Sequence, residues 1–131
     1  MKKYAALIYL FLLPFTIFGQ DDISQTLAGF FRSGNTVEIA KYFDATVDMS
    51  IPKSEGVYSK QQAEIILKNF FTADVPQSFT VFHQGSSKDG SKYFIGNLVT
   101  KTSTYRTYVY LKNQSGKFFI HQLRIDREEK E

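Results

Sequence analysis

The 131-residue chain contains no cysteine. No disulfide can form, so the folded domain is held by its apolar core alone. The same absence excludes a lipid-modified N-terminal cysteine. Histidine is almost as scarce: His83 and His121 are the only two. A catalytic zinc usually takes three protein ligands, and no spacing motif supplies the third, so neither a metal nor a cofactor is expected. The chain also lacks repeats, low-complexity tracts, an interdomain linker and a basic stripe that would suit nucleic acid. The pI near 9.0 overstates its basicity. Two of the 16 lysines and arginines are Lys2 and Lys3; without them 14 basic residues face 13 acidic ones.

Lys2 and Lys3 precede an apolar run from Tyr4 to Phe18 that Pro14 interrupts. This pattern reads as a secretory signal peptide over residues 1–19, cleaved after Gly19 or Gln20. A retained anchor is the competing reading, but the run is short of the roughly 20 apolar residues needed to span a bilayer. Either way the remainder is exported. The expectation is one domain over residues 20–131, periplasmic or extracellular and free of the membrane after cleavage.

Aromatic residues are plentiful, and nine of the sixteen beyond residue 19 fall between Ser78 and Ile125 in four runs separated by turns. Ser78–Gln84 ends in a loop with Asp89-Gly90, a pair suited to the positive φ of hairpin turns. Lys92–Thr100 follows, with Gly96 marking a bulge or bend. Thr104–Leu111 and Phe118–Ile125 are joined by Asn113-Gln114-Ser115-Gly116. Connections this short predict antiparallel neighbours and a meander. Alternation places Tyr105, Thr107, Val109 and Leu111 on one face, with Arg106, Tyr108 and Tyr110 on the other. In the last run it groups Phe119, His121, Leu123 and Ile125 against Phe118, Ile120, Gln122 and Arg124. One face is apolar, yet the other is not clearly polar.

Upstream, Ile23, Leu27, Phe30 and Phe31 form a helical stripe, with Asp22 as N-cap and Gly34 as stop. Asn35 and Glu38 open a second short helix, and Val47, Met49 and Ile51 alternate as a strand closed by Pro52. Glu55–Tyr58 returns from it. Ser59 with Gln62 caps a third helix whose stripe is Ala63, Ile66, Leu67, Phe70 and Phe71. Residues 126–131 are charged and read as a frayed end. Helices segregated against an antiparallel sheet predict an α+β fold.

This order resembles the nuclear-transport-factor-2-like (cystatin-like) cone, in which a curved sheet wraps around its helices. Gly34-Asn35, Ile39-Ala40-Lys41-Tyr42-Phe43, Tyr58-Ser59-Lys60-Gln61-Gln62-Ala63 and Leu123-Arg124-Ile125 resemble more narrowly the exported Bacteroidetes group called domain of unknown function 4783. The resemblance implies three N-terminal helices on a curved sheet whose final four strands form a meander. It implies no activity.

Candidate ligand-binding residues are His83, Tyr58, Tyr93, Tyr105 and His121, placed in the cone. The plainer reading makes each histidine a core-edge residue satisfied by a hydrogen bond. Arg106, Tyr108, Tyr110 and Arg124 are candidate interface residues for a homodimer through the sheet, because exposed aromatic patches are usually covered. With no catalytic set to place, the reading favours a non-enzymatic module that binds a small ligand or peptide in its cone, or a partner through its sheet. The alternative is an isomerase- or hydrolase-like enzyme with a pocket histidine or aspartate as general base. Enzymes of the cone fold use such a group, and Asp48 beside Tyr58 is one place for it, although alternation turns Asp48 towards water.

Overall fold

The computed structural model describes residues 22–129, so the expected signal segment lies outside the described residues. Helix α1, Ile23–Ser33, buries Leu27, Ala28 and Phe31 along one side. Asp22 caps it by accepting from the Ser24 N–H at 3.0 Å. Gly34 ends it at φ +64°, a left-handed conformation that costs other residues roughly 1–2 kcal/mol. Asn35 accepts from the Glu38 N–H at 3.3 Å and opens helix α2, Thr36–Ala40. Strands β1, Phe43–Ile51, and β2, Ser54–Ser59, form a hairpin. Ser59 and Gln62 then cap each other's backbone reciprocally at the start of helix α3, Lys60–Ala73. The remaining chain supplies β3, Pro76–Ser86, β4, Lys92–Thr100, β5, Thr104–Gln114, and β6, Lys117–Arg127.

These elements make an α+β fold, with three helices against one curved sheet of six strands in the order β2-β1-β6-β5-β4-β3. Strands β3 to β6 each pair antiparallel with their sequence neighbour. β1 joins β6 in parallel, with Met49 opposite Leu123 and Ser50 opposite Arg124. β6 continues to Arg127, and the Glu128 N–H donates to the Thr104 carbonyl at 2.9 Å. The frayed end expected from residue 126 therefore begins no earlier than Glu129 among the described residues.

The register slips in β1 between Phe43 and Asp48, in β3 between Val81 and His83, and in β5–β6 pairing at His121. An inserted residue bends its strand and increases the local twist. It also reverses the alternation beyond it. In β6 this puts Phe118 and Ile120 on the core side with Leu123 and Ile125, and Ile120 is fully buried. The strict alternation that grouped Phe119 with Leu123 is thereby corrected. Gly96 lies beside the β3 irregularity, opposite Val81, rather than within one of its own. A Cβ there would sit 2.5 Å from the Phe79 ring, so the glycine admits that ring against β4.

The centre of the core is aromatic. Phe31 stacks on Phe79 with centroids 5.1 Å apart and meets Phe71 edge-on at 6.2 Å. Phe79 in turn meets Phe94 edge-on at 6.2 Å. Helix α3 sends Ala63, Leu67 and Phe71 inward, whereas Ile66 and Phe70 lie at the core's margin. Phe71→Ala is therefore expected to cost about 3–5 kcal/mol in urea unfolding, and Phe70→Ala distinctly less. Equal losses at the two positions would contradict this packing.

Candidate functional site

Register brings four chain segments to one end of the sheet. Because β1 and β6 run parallel at the Ser50–Arg124 pair, three further residues along each segment lead to Lys53, in the turn after β1, and to Arg127, the end of β6, at the same end. β5 enters antiparallel to β6, with Tyr105 opposite Arg127, so the β4–β5 turn with Thr102 and Ser103 arrives there as well. The C-terminus of α3 adds Asp74. Together they surround a cavity of about 480 Å³. Ile51, Ile66, Phe70 and Ala73 give its apolar wall, and Tyr105 and Asp74 its polar side.

A carboxylate at a helix C-terminus faces the unfavourable end of the helix dipole and needs donors. Asp74 has them. The Tyr105 hydroxyl donates to Oδ2 at 2.9 Å, the Thr102 hydroxyl to the same oxygen at 2.9 Å, and the Thr102 N–H to Oδ1 at 3.2 Å. Burial alone would raise the pKa of this carboxyl, but the surrounding hydroxyls and the Thr102 N–H outweigh it and hold it below 3.8. The Tyr105 hydroxyl moves up, first through burial and then through its bond to Asp74 and that group's charge. A carboxylate so engaged stays ionised at neutral pH and makes a poor general base. Phe70 packs edge-on against Tyr105 at 5.2 Å, fixing the ring that carries the hydroxyl.

At the rim, Arg127 Nη2 donates to Ser103 Oγ at 2.8 Å. Lys53 occupies the second position of the two-residue β1–β2 turn at φ +73°, where glycine would be the cheaper residue. Among the described residues neither cation forms an ion pair.

Of the ligand-binding residues expected from the sequence, Tyr105 lines this cavity. Tyr58 packs against the core from β2 and does not. His83, Tyr93 and His121 lie on the outer face of the sheet, not in the cone. The slip after Val81 turns His83 outward, where its Nε2 lies 3.0 Å from the Tyr93 hydroxyl. His121 is the unpaired residue of the β5–β6 irregularity, with Nδ1 3.2 Å from Asp44 Oδ2, which also accepts from Gln114 Nε2 at 3.1 Å. Each histidine is thus a hydrogen-bonded surface residue. Arg106, Tyr108, Tyr110 and Arg124 share that outer face. Asp48 is exposed, on the opposite side of the sheet from Tyr58. No group of three metal-ligating side chains occurs among the described residues, and none of their helices is long and apolar enough to cross a membrane.

Sequence reasoning missed Lys53, Asp74 and Arg127, the last of which fell in the stretch expected to fray. Only Asp74 carried a signal, as a carboxylate where the helix dipole disfavours one.

In fold the chain is similar to nuclear-transport-factor-2-like proteins, at 16% identity and a TM-score of 0.60. The pattern of the family described as a domain of unknown function (DUF4783) matches residues 24–126, and the chain belongs to that family. A crystal structure of a family member from Bacteroides uniformis is 32% identical with a TM-score of 0.77, covering 83% of this chain and all of that one. One from Bacteroides ovatus is 30% identical with a TM-score of 0.74, covering 79% and 94%. A putative ketosteroid isomerase from Kribbella flavida shares the fold at 13% identity and a TM-score of 0.59, covering 82% and 76%. No curated protein matches the chain.

Because the folded-state pKa of Asp74 is depressed, its contribution is complete above the unfolded value of 3.8 and is lost as pH falls through the lower folded value. Stability of the natural protein should therefore fall more steeply below about pH 4 than that of Asp74→Asn. Tyr105→Phe, which removes one bond to the charged group, should cost about 1.5–3 kcal/mol at neutral pH. Parallel acid limbs in urea titrations of natural protein and Asp74→Asn would refute the network.

Proposed function

We propose that the domain is a non-catalytic binding module that holds a small, mainly apolar molecule in the cavity at the open end of its sheet. The observation that carries this reading is a cavity of about 480 Å³ whose carboxylate is already committed to three donors. Its volume lies within the ~300–1,000 Å³ usual for small-molecule sites, which combine apolar walls with a few fixed polar groups. The isomerase-like alternative needs a free base facing the ligand. Asp74 is engaged, and both histidines lie on the other side of the sheet. The likeness to a putative ketosteroid isomerase concerns fold alone. The neutral fluorophore N-phenyl-1-naphthylamine should bind saturably, and Ala73→Trp, which puts a ring into the cavity from the helix end, should abolish this with circular dichroism unchanged. Absence of saturable binding to the natural protein would sink the reading.

A second reading concerns the outer face, favoured by the aromatic side chains left there. Phe82 is 51% exposed. His83, Tyr93 and Tyr108 adjoin one another with centroid separations of 5.5 and 6.1 Å, and Tyr110 meets His121 at 6.3 Å. We propose that a second copy of the chain covers this face. The Arg106–Glu128 and Arg124–Asp126 pairs there are long, at 3.5 and 3.9 Å, and solvent-exposed, so both signs are free to exchange across a two-fold axis. Sedimentation equilibrium should give a dimer mass that Tyr108→Glu reduces to the monomer. A monomer mass for the natural protein at tens of micromolar would refute it.

A further inference from the structure

We infer that the cavity selects an amphipathic anion: an acyl or aryl carboxylate whose apolar body lies against Ile66 and Phe70 and whose charged head meets Lys53 and Arg127. This rests on the binding reading above and names its ligand class. Three observations support it independently of the cavity's size. First, the parallel β1–β6 register carries both cations to one rim, and neither has an ion-pair partner among the described residues. Second, Lys53 sits at φ +73°, a conformation glycine adopts at no steric cost. A strained residue at a site mouth points to a use for its side chain. Third, Asp74 keeps its charge but has its oxygens taken by Thr102 and Tyr105, so it offers a cationic head no free acceptor. What remains open to a ligand is an apolar wall with positive charge at its edge. An arginine fork and a lysine ammonium both suit a carboxylate head, the first through paired N–H donors.

The test displaces N-phenyl-1-naphthylamine from the natural protein with dodecanoate and, in parallel, with dodecanol, both below their aggregation thresholds. Dodecanoate should win by on the order of tenfold, and the preference should shrink as salt is raised. In Lys53→Gly and in Arg127→Gln the acid-to-alcohol ratio should fall towards one. Lys53→Gly should do so with an unchanged or higher melting temperature, which separates loss of charge from loss of fold. Equal displacement by acid and alcohol, or displacement by neither, would overturn the ligand class while leaving the binding reading intact. Failure of the natural protein to bind the neutral fluorophore would overturn both.

Discussion

The parallel ladder between β1 and β6 is the constraint on which the arrangement depends. Every other strand pairing joins sequence neighbours through a short turn. This one closes a loop of some seventy residues, from Met49 to Leu123, and its entropic cost has to be met by the contacts it makes possible. It converts a hairpin with helices and a separate four-stranded unit into a single sheet with one core. It is reinforced at its start, where the Ile120 N–H donates to the Tyr42 carbonyl at 2.6 Å. Because the two strands run the same way, their C-terminal ends coincide. The hairpin tip with Lys53 and the strand end with Arg127 thereby become neighbours across a cavity.

Asp74 ties the same end together from the helix side. It stands where α3 stops and β3 has yet to begin, and its hydrogen bonds reach the β4–β5 turn and the first residues of β5. One side chain thus fixes the helix terminus, a tight turn and an aromatic ring relative to one another. Those bonds also decide the chemistry. A carboxylate stabilised as the anion by several donors is structural and electrostatic, and it leaves the wall of the cavity to Ile66, Phe70 and the Tyr105 ring.

Local signals in the sequence translated directly into local structure. The caps at Asp22, Asn35 and Ser59, the stop at Gly34, and the inward faces of β1 and β5 follow from hydrogen-bonding capacity, backbone freedom and period-two alternation. The two candidate histidines fared worse for a shared reason. His83 and His121 each lie at or just past a register slip, and alternation carried through such a slip assigns the wrong face. One inserted residue is invisible to periodicity yet moves the side chains that follow it from the cone to the outside. Phe119 and Ile120 exchanged faces in the same way. Tyr105, on a strand without a slip before it, lines the cavity.

The sequence by itself determined the elements, their order, the α+β class and the family, because these rest on patterns spanning a few neighbouring residues and on short phrases such as Tyr58-Ser59-Lys60-Gln61-Gln62-Ala63. Tertiary structure decided the site. Lys53, Asp74 and Arg127 are separated by 21 and 53 positions in the chain, and no local preference relates them. They meet because one strand pair is parallel, one helix ends where a turn can donate to its last carboxylate, and the final strand runs to the rim. Proximity of that kind is a property of the closed sheet, which exists only after the non-local pairing has formed.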